Sequence, residues 1–228
     1  MIMMTGRSYC HSKRKLQINY MKAKQILNEQ TIKEAFKHLV KKEPLFESVL
    51  IEKNYELVLF NKKKGFEGLI SLIVDQQLSV ASAKAIFGRL KRLVKPFNAK
   101  NFIEVNDDSL KGVGLSVQKV DYCKGVAYKV VNGDLNLKSL EKKNDSEVIA
   151  ELVKIKGIGE WTAKCYLLAC LKRVDVWPAA DLGLMVAIQR LKGLENRPNE
   201  LTIEEIAKPW SPYRSVAALL LWSTYDKE

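Results

Sequence analysis

Apolar residues recur at helical spacing along most of the chain. Phe66, Leu69, Ile70, Ile73 and Val74 fall on one helical face, and Ala83, Ile86, Phe87, Leu90 and Val94 repeat the pattern until Pro96 stops it. Cys123, Val126, Ala127, Val130 and Val131 form another stripe, closed by Asn132-Gly133. Val148, Ile149, Leu152 and Val153 lead into a Gly157-Ile158-Gly159 break, and Ala163, Tyr166, Leu167, Cys170 and Leu171 continue beyond it. Leu182, Met185, Val186 and the run 188–191 follow a stop at Trp177-Pro178, and a last apolar helix is predicted over about 215–225. Strand signals are thin. Val49–Ile51 and Leu57–Phe60, around Lys53-Asn54, read as a small β-hairpin. Residues 1–20 read as a loose tail and 21–228 as one compact, mainly α domain.

Composition narrows the setting. Apolar residues make up 47% of the 228, enough for a sizeable core. The longest apolar run, Val216–Trp222, is too short for a membrane span, and the polar, basic start has no secretory core, so an intracellular monomer is expected. The formal charge of +12 favours a polyanionic partner, although a Lys-rich proteome would produce the same excess. Cys10, Cys123, Cys165 and Cys170 show no metal-ligand spacing, and His11 and His38 are the two histidines. Reduced thiols and no metal are expected.

The segment from Leu152 to Ala163 carries the most specific signal. Two glycines flanking one apolar residue permit a tight reversal, with Ile158 tucked between the helices. Amides at Gly157, Ile158 and Gly159 would then face outward beside Lys154, Lys156 and Lys164, as an anion site for a DNA phosphate. Such a contact positions a duplex without reading its sequence. Taken alone, the motif equally describes a helix–turn–helix connection with a glycine cap.

Gly157-Ile-Gly-Glu-Trp-Thr-Ala163 followed by Trp177-Pro-Ala-Ala-Asp-Leu-Gly183 resembles the hairpin and catalytic segment of the DNA-3-methyladenine glycosylase II family. That family belongs to the helix-hairpin-helix superfamily that also holds endonuclease III and oxoguanine glycosylase. Ile73-Val-Asp-Gln-Gln-Leu-Ser79, Gly114-Leu-Ser-Val-Gln-Lys119 and Trp210-Ser-Pro-Tyr-Arg-Ser215 are similar to further family stretches, in the family order. The resemblance implies a helix-hairpin-helix glycosylase fold of two helical subdomains with a cleft between them, and the hairpin at about 148–171. It also implies a monofunctional glycosylase that removes alkylated purines from double-stranded DNA in base excision repair.

The resemblance makes Asp181 the catalytic carboxylate; by its position alone it would also serve as a helix N-cap. Cleaving an N-glycosidic bond builds positive charge on the sugar, which a nearby carboxylate stabilises. Trp161 stands where strand-cutting relatives carry a lysine, so base removal without lyase chemistry is implied. Trp161 and Trp222 match base-pocket positions; each alone would equally be a core residue. At the other pocket aromatic the chain has Cys165, with Tyr166 adjacent as a substitute. Ala180 replaces an acid that can precede the family aspartate.

Gln76, Gln77, Leu78 and Ser79 correspond to the region that fills the gap left by a flipped base, and alternatively to a plain polar turn. Lys156, Gly157, Ile158, Gly159, Thr162 and Lys164 are the expected DNA contacts of the hairpin, with Gln118, Lys119 and Arg214 as phosphate or scaffold contacts. No cofactor is implied beyond a monovalent cation on the hairpin carbonyls. A lesion-recognition protein without catalysis is the alternative reading, and a place with the DNA inside the cell fits both.

Overall fold

The computed structural model describes residues 26–60 and 62–225; the expected loose tail over 1–20, with Cys10 and His11, lies outside the described residues. The chain runs through α1 (Glu29–Lys42), α2 (Leu45–Glu52), α3 (Phe66–Asp75), α4 (Val80–Leu93), α5 (Ala99–Glu104) and α6 (Asp107–Gly112). It continues with α7 (Val117–Val131), α8 (Asp145–Leu152), α9 (Glu160–Cys165), α10 (Leu182–Lys192), α11 (Glu200–Ala207) and α12 (Arg214–Tyr225). Short 3-10 turns occupy Ser139–Lys142 and Lys208–Trp210. Among the described residues there is no β-strand, only an isolated bridge between Ile26 and Arg173. No described helix is long and apolar enough to cross a membrane.

The helices begin where short polar side chains stand. Asn28, Ser79, Asn98, Asn106, Ser116, Asn144 and Asn199 each accept a hydrogen bond from the backbone amide three residues on. Each such cap is worth about 1 kcal/mol over alanine.

The expected hairpin over 48–60 is absent. Leu45–Glu52 is helical instead, with Phe46, Val49 and Leu50 buried at the spacing of one helical face. Pro44 precedes it with backbone angles already in the helical region, and that tertiary burial overrides the β preference of Val49 and Ile51.

The helices divide between two compact units. One unit comprises the described residues up to Leu57, 173–177 and 183 onward. In it Arg214 forks onto Asp175, Nε to Oδ1 at 2.8 Å and Nη2 to Oδ2 at 3.0 Å. Trp177 and Trp210 meet edge to face at 5.4 Å, and both are buried. They are core residues, and Arg214 serves the scaffold.

The second unit comprises 58–172 and 178–182. Its centre is α3, whose Leu69, Ile70, Ile73 and Val74 are fully buried. Helix α7 packs against both α3 and α5, and α4 against α3. Gly68 is required here by close approach: a Cβ would lie 1.8 Å from the Lys63 carbonyl oxygen and 2.7 Å from Cys170 Sγ. Beyond α9 the chain widens into a π-helical turn, Tyr166–Cys170, in which the Leu171 amide reaches back to the Tyr166 carbonyl.

Candidate active site

The hairpin lies wholly in the second unit. Helix α8 ends at Leu152, and Gly157 takes a φ of +87° that residues with a Cβ rarely adopt. A Cβ there would also sit 2.2 Å from Cγ of the Tyr122 ring, so sterics exclude a side chain twice over. Ile158 is buried, and its amide donates to the Ile155 carbonyl at 3.0 Å. Gly159 is exposed, extended and caps α9, with nothing within 4 Å of where a Cβ would stand. The loop between α3 and α4, the first turn of α7 and residues 153–159 line a groove of about 580 Å³.

Twenty residues along from Trp161, Pro178-Ala-Ala-Asp181 turns through an Asp181 amide to Pro178 carbonyl bond of 3.0 Å, and α10 begins at Leu182. This turn brings the Asp181 carboxylate onto Trp161: the indole Nε1–H donates to Oδ2 at 2.8 Å. Both residues are half-buried. A charge-assisted bond of this length fixes the carboxylate against the ring edge while the flat indole face stays distinct from the donor. Cys165, one helical turn beyond Trp161, is buried. Burial pushes its thiol well above the ordinary range, and the negative charges of Asp181 and Asp75 add to the effect. It is therefore a neutral thiol beside the site, neither a nucleophile nor an aromatic wall.

Helix α3 stops at Asp75, and Gln77 takes a left-handed φ of +55°, a strain of about 1–2 kcal/mol for a residue with a Cβ. Gln77, Leu78 and Ser79 are exposed, Leu78 by 39%, and the Ser79 hydroxyl caps α4. Gln76 differs from its neighbours. Its side-chain amide donates to the Gly157 carbonyl at 2.9 Å and to the Thr162 hydroxyl at 3.0 Å. Lys119 Nζ donates to the carbonyls of Val74 and Gln76 at 2.7 and 2.6 Å, and burial lowers its pKa from the usual lysine value.

Several expected site residues have partners within the chain, and one is closed off. Tyr166 is fully buried, its hydroxyl accepting from the Gly65 amide at 3.1 Å, which removes it from an open base pocket. Thr162 is buried with its hydroxyl spent on Gln76, so its side chain is a scaffold group. Gln76 belongs to the same scaffold, and both it and Lys119 are half-buried in the lining of the groove. Gln118 donates to the Tyr122 hydroxyl at 2.6 Å. Lys156 holds Asp121 of α7 at 2.8 Å, and Lys164 holds Glu160 at 2.9 Å. Gly157 O, one of the carbonyls a monovalent cation could use, is the oxygen that Gln76 engages. Trp222 lies on α12 in the other unit. Sequence reasoning missed Tyr122 and Asp121; partners 35 residues away leave no local signal.

The family model of the HhH-GPD superfamily base excision DNA repair protein matches residues 70–212. That span holds the α3–α4 loop, the hairpin, Trp161 and Asp181. The chain belongs to this superfamily. Within it the chain falls in the DNA-3-methyladenine glycosylase family. It is 32% identical over 167 residues to DNA-3-methyladenine glycosylase 1 of Schizosaccharomyces pombe, covering 72% of this chain and 73% of the relative. It is 29% identical over 202 residues to the DNA-3-methyladenine glycosylase of Bacillus subtilis, covering 82% of this chain and 65% of that protein. Among solved structures, S. pombe 3-methyladenine DNA glycosylase in complex with abasic DNA superposes with a TM-score of 0.79 at 27% identity, covering 84% and 96% of the two chains. DNA-3-methyladenine glycosidase of Bacillus halodurans gives 0.71 at 33% identity, covering 85% and 89%. This HhH-GPD chain is thus a DNA-binding glycosylase.

Proposed function

We propose that the chain is a monofunctional glycosylase that hydrolyses the N-glycosidic bond of alkylated purines, of the 3-methyladenine and 7-methylguanine type, in duplex DNA. The observation that carries this reading is the 2.8 Å bond from Trp161 Nε1 to the Asp181 carboxylate. An alkylated purine carries positive charge, which an indole face attracts by cation–π contact and stacking. The base is already a good leaving group. As its bond to the sugar breaks, the electron pair leaves with the base and positive charge develops on C1′. The Asp181 carboxylate stabilises that charge and orients the water that adds there, giving free base and an abasic site. The indole N–H holds the carboxylate in place throughout.

Lyase chemistry needs a free amine at the sugar. Here Trp161 stands at the lysine position, and Lys156 and Lys164 are held by Asp121 and Glu160. Base release without strand cleavage is therefore expected.

The test is excision from a duplex carrying 7-methylguanine, with and without subsequent alkali. Free base, with strand breaks only after alkali, supports the reading; breaks without alkali overturn the monofunctional part. Asp181→Asn should lower single-turnover excision by about a hundredfold or more while leaving lesion binding nearly intact. Unchanged turnover in that variant would remove Asp181 from the mechanism. Binding without any release from the wild type would make this a recognition protein.

A further inference from the structure

The loop after α3 and the hairpin are joined by two side chains that no part of the reaction above uses. Lys119 Nζ, on the first turn of α7, bridges the carbonyls of Val74 and Gln76 at 2.7 and 2.6 Å. Gln76 in turn reaches 81 residues ahead to the Gly157 carbonyl and the Thr162 hydroxyl. The exposed residues Gln77 and Leu78 follow directly, with Gln77 in the left-handed region. Such a backbone conformation persists only where its surroundings over-determine it. The surroundings here are a half-buried ammonium on the C-terminal carbonyls of α3 and an amide fork between the hairpin and the helix that carries Trp161.

We infer that Lys119 and Gln76 form a clamp that holds the exposed Gln77–Leu78 tip in register with the hairpin, so that gripping the phosphates and prying out the base become one rigid action. Lys119 and Gln76 are positioning residues: neither touches the base or the sugar. The inference rests on the glycosylase reading of the site. The ammonium is half-buried, and its two acceptors flank Asp75, so its loss leaves two carbonyls without this donor at the end of α3. The tip then loses its fixed direction, while the hairpin, whose turn depends on Gly157 and Tyr122, keeps its own shape.

The cost should fall on extruding the base and spare phosphate binding. Flipping from an intact pair is expensive and flipping from a mispair is cheap, so the defect should depend on the opposite strand. The experiment compares wild type, Lys119→Met, Lys119→Arg and Gln76→Leu on duplexes carrying 7-methylguanine either correctly paired or mispaired, with 2-aminopurine beside the lesion. Lys119→Met and Gln76→Leu should bind undamaged duplex within about twofold of wild type, with the same salt slope. On the paired lesion, single-turnover excision and the 2-aminopurine signal should fall about tenfold or more, and mispairing should restore most of the loss; Lys119→Arg should recover part of it. Equal losses on paired and mispaired lesions, or no loss, would overturn the clamp. Gln76→Leu keeps the test open if Lys119→Met fails to fold. A wild type that brightens 2-aminopurine without releasing base would refute the chemistry above, and the same fluorescence would still decide on the clamp.

Discussion

Replacing Gly157 by alanine tests two independent demands at one backbone position. The first is conformational. A residue with a Cβ at φ +87° costs about 1–2 kcal/mol relative to glycine. The second is steric, because the new methyl would lie 2.2–2.6 Å from three atoms of the Tyr122 ring. The ring must move, which in a packed region costs about 1–3 kcal/mol. The sum, about 2–5 kcal/mol, is a large part of the 5–15 kcal/mol that holds an ordinary domain together. For a chain of this size it corresponds to a fall in Tm of about 4–20 °C. Denaturant unfolding of the two single variants and the double variant Gly157→Ala/Tyr122→Ala separates the terms. Removing the ring should erase the steric part, leaving the double variant about 1–3 kcal/mol more stable than the singles predict by addition. The conformational part should remain. Affinity for undamaged duplex should fall with Gly157→Ala and partly recover in the double variant. Strict additivity would show that Tyr122 is not the obstruction, and wild-type stability of Gly157→Ala would refute both demands.

Two further predictions concern charge. Asp121 occupies Lys156, whose pKa is raised by that hydrogen bond and by the nearby negative charge. Asp121→Asn should leave thermal stability unchanged but tighten undamaged-duplex binding several-fold at low salt, a gain that vanishes at high salt; fluorescence anisotropy across a salt series measures it. Glu67 is a carboxylate that burial alone would raise, yet its ion pairs with Lys91 and Lys63 outweigh burial and lower its pKa below 4.5. A depressed carboxylate contributes stability that is present above its unfolded pKa and lost as pH falls through its folded one. Glu67→Gln should therefore destabilise at neutral pH, and the difference from wild type should close as pH drops below 4.5, as chemical denaturation at several pH values would reveal.

Much of this was legible in residue order, because the informative contacts are local or forced. The apolar stripes of α3, α4 and α7 repeat every three or four residues, so each helix shows its buried face within a short stretch of chain. The Gly-Ile-Gly turn is legible because one glycine is sterically compulsory and the residue between is apolar. The bonds that join Gln76 to Gly157 and Thr162 were not legible, because these partners lie 81 and 86 residues from Gln76 in the chain. A polar side chain in a polar turn reads as solvent-facing until its distant acceptor is known. Tyr166 was misplaced for the opposite reason. It lies next to the pocket position in sequence, and on a helix the neighbour points elsewhere. At Leu45–Glu52, two β-branched residues outweighed in sequence the three buried positions that decide the fold.

The π-helical turn at Tyr166–Cys170 bears on how the family is to be aligned. A helix whose carbonyls are answered five residues on, rather than four, carries a surplus residue, and everything after it is rotated by about a third of a turn. Relatives with one residue fewer between the hairpin and the Trp177-Pro178 segment could close that turn to an ordinary α-helix without displacing Trp161. A gap of one in this stretch would then mark a change of helical winding, and side chains counted across it would be compared one place out of step.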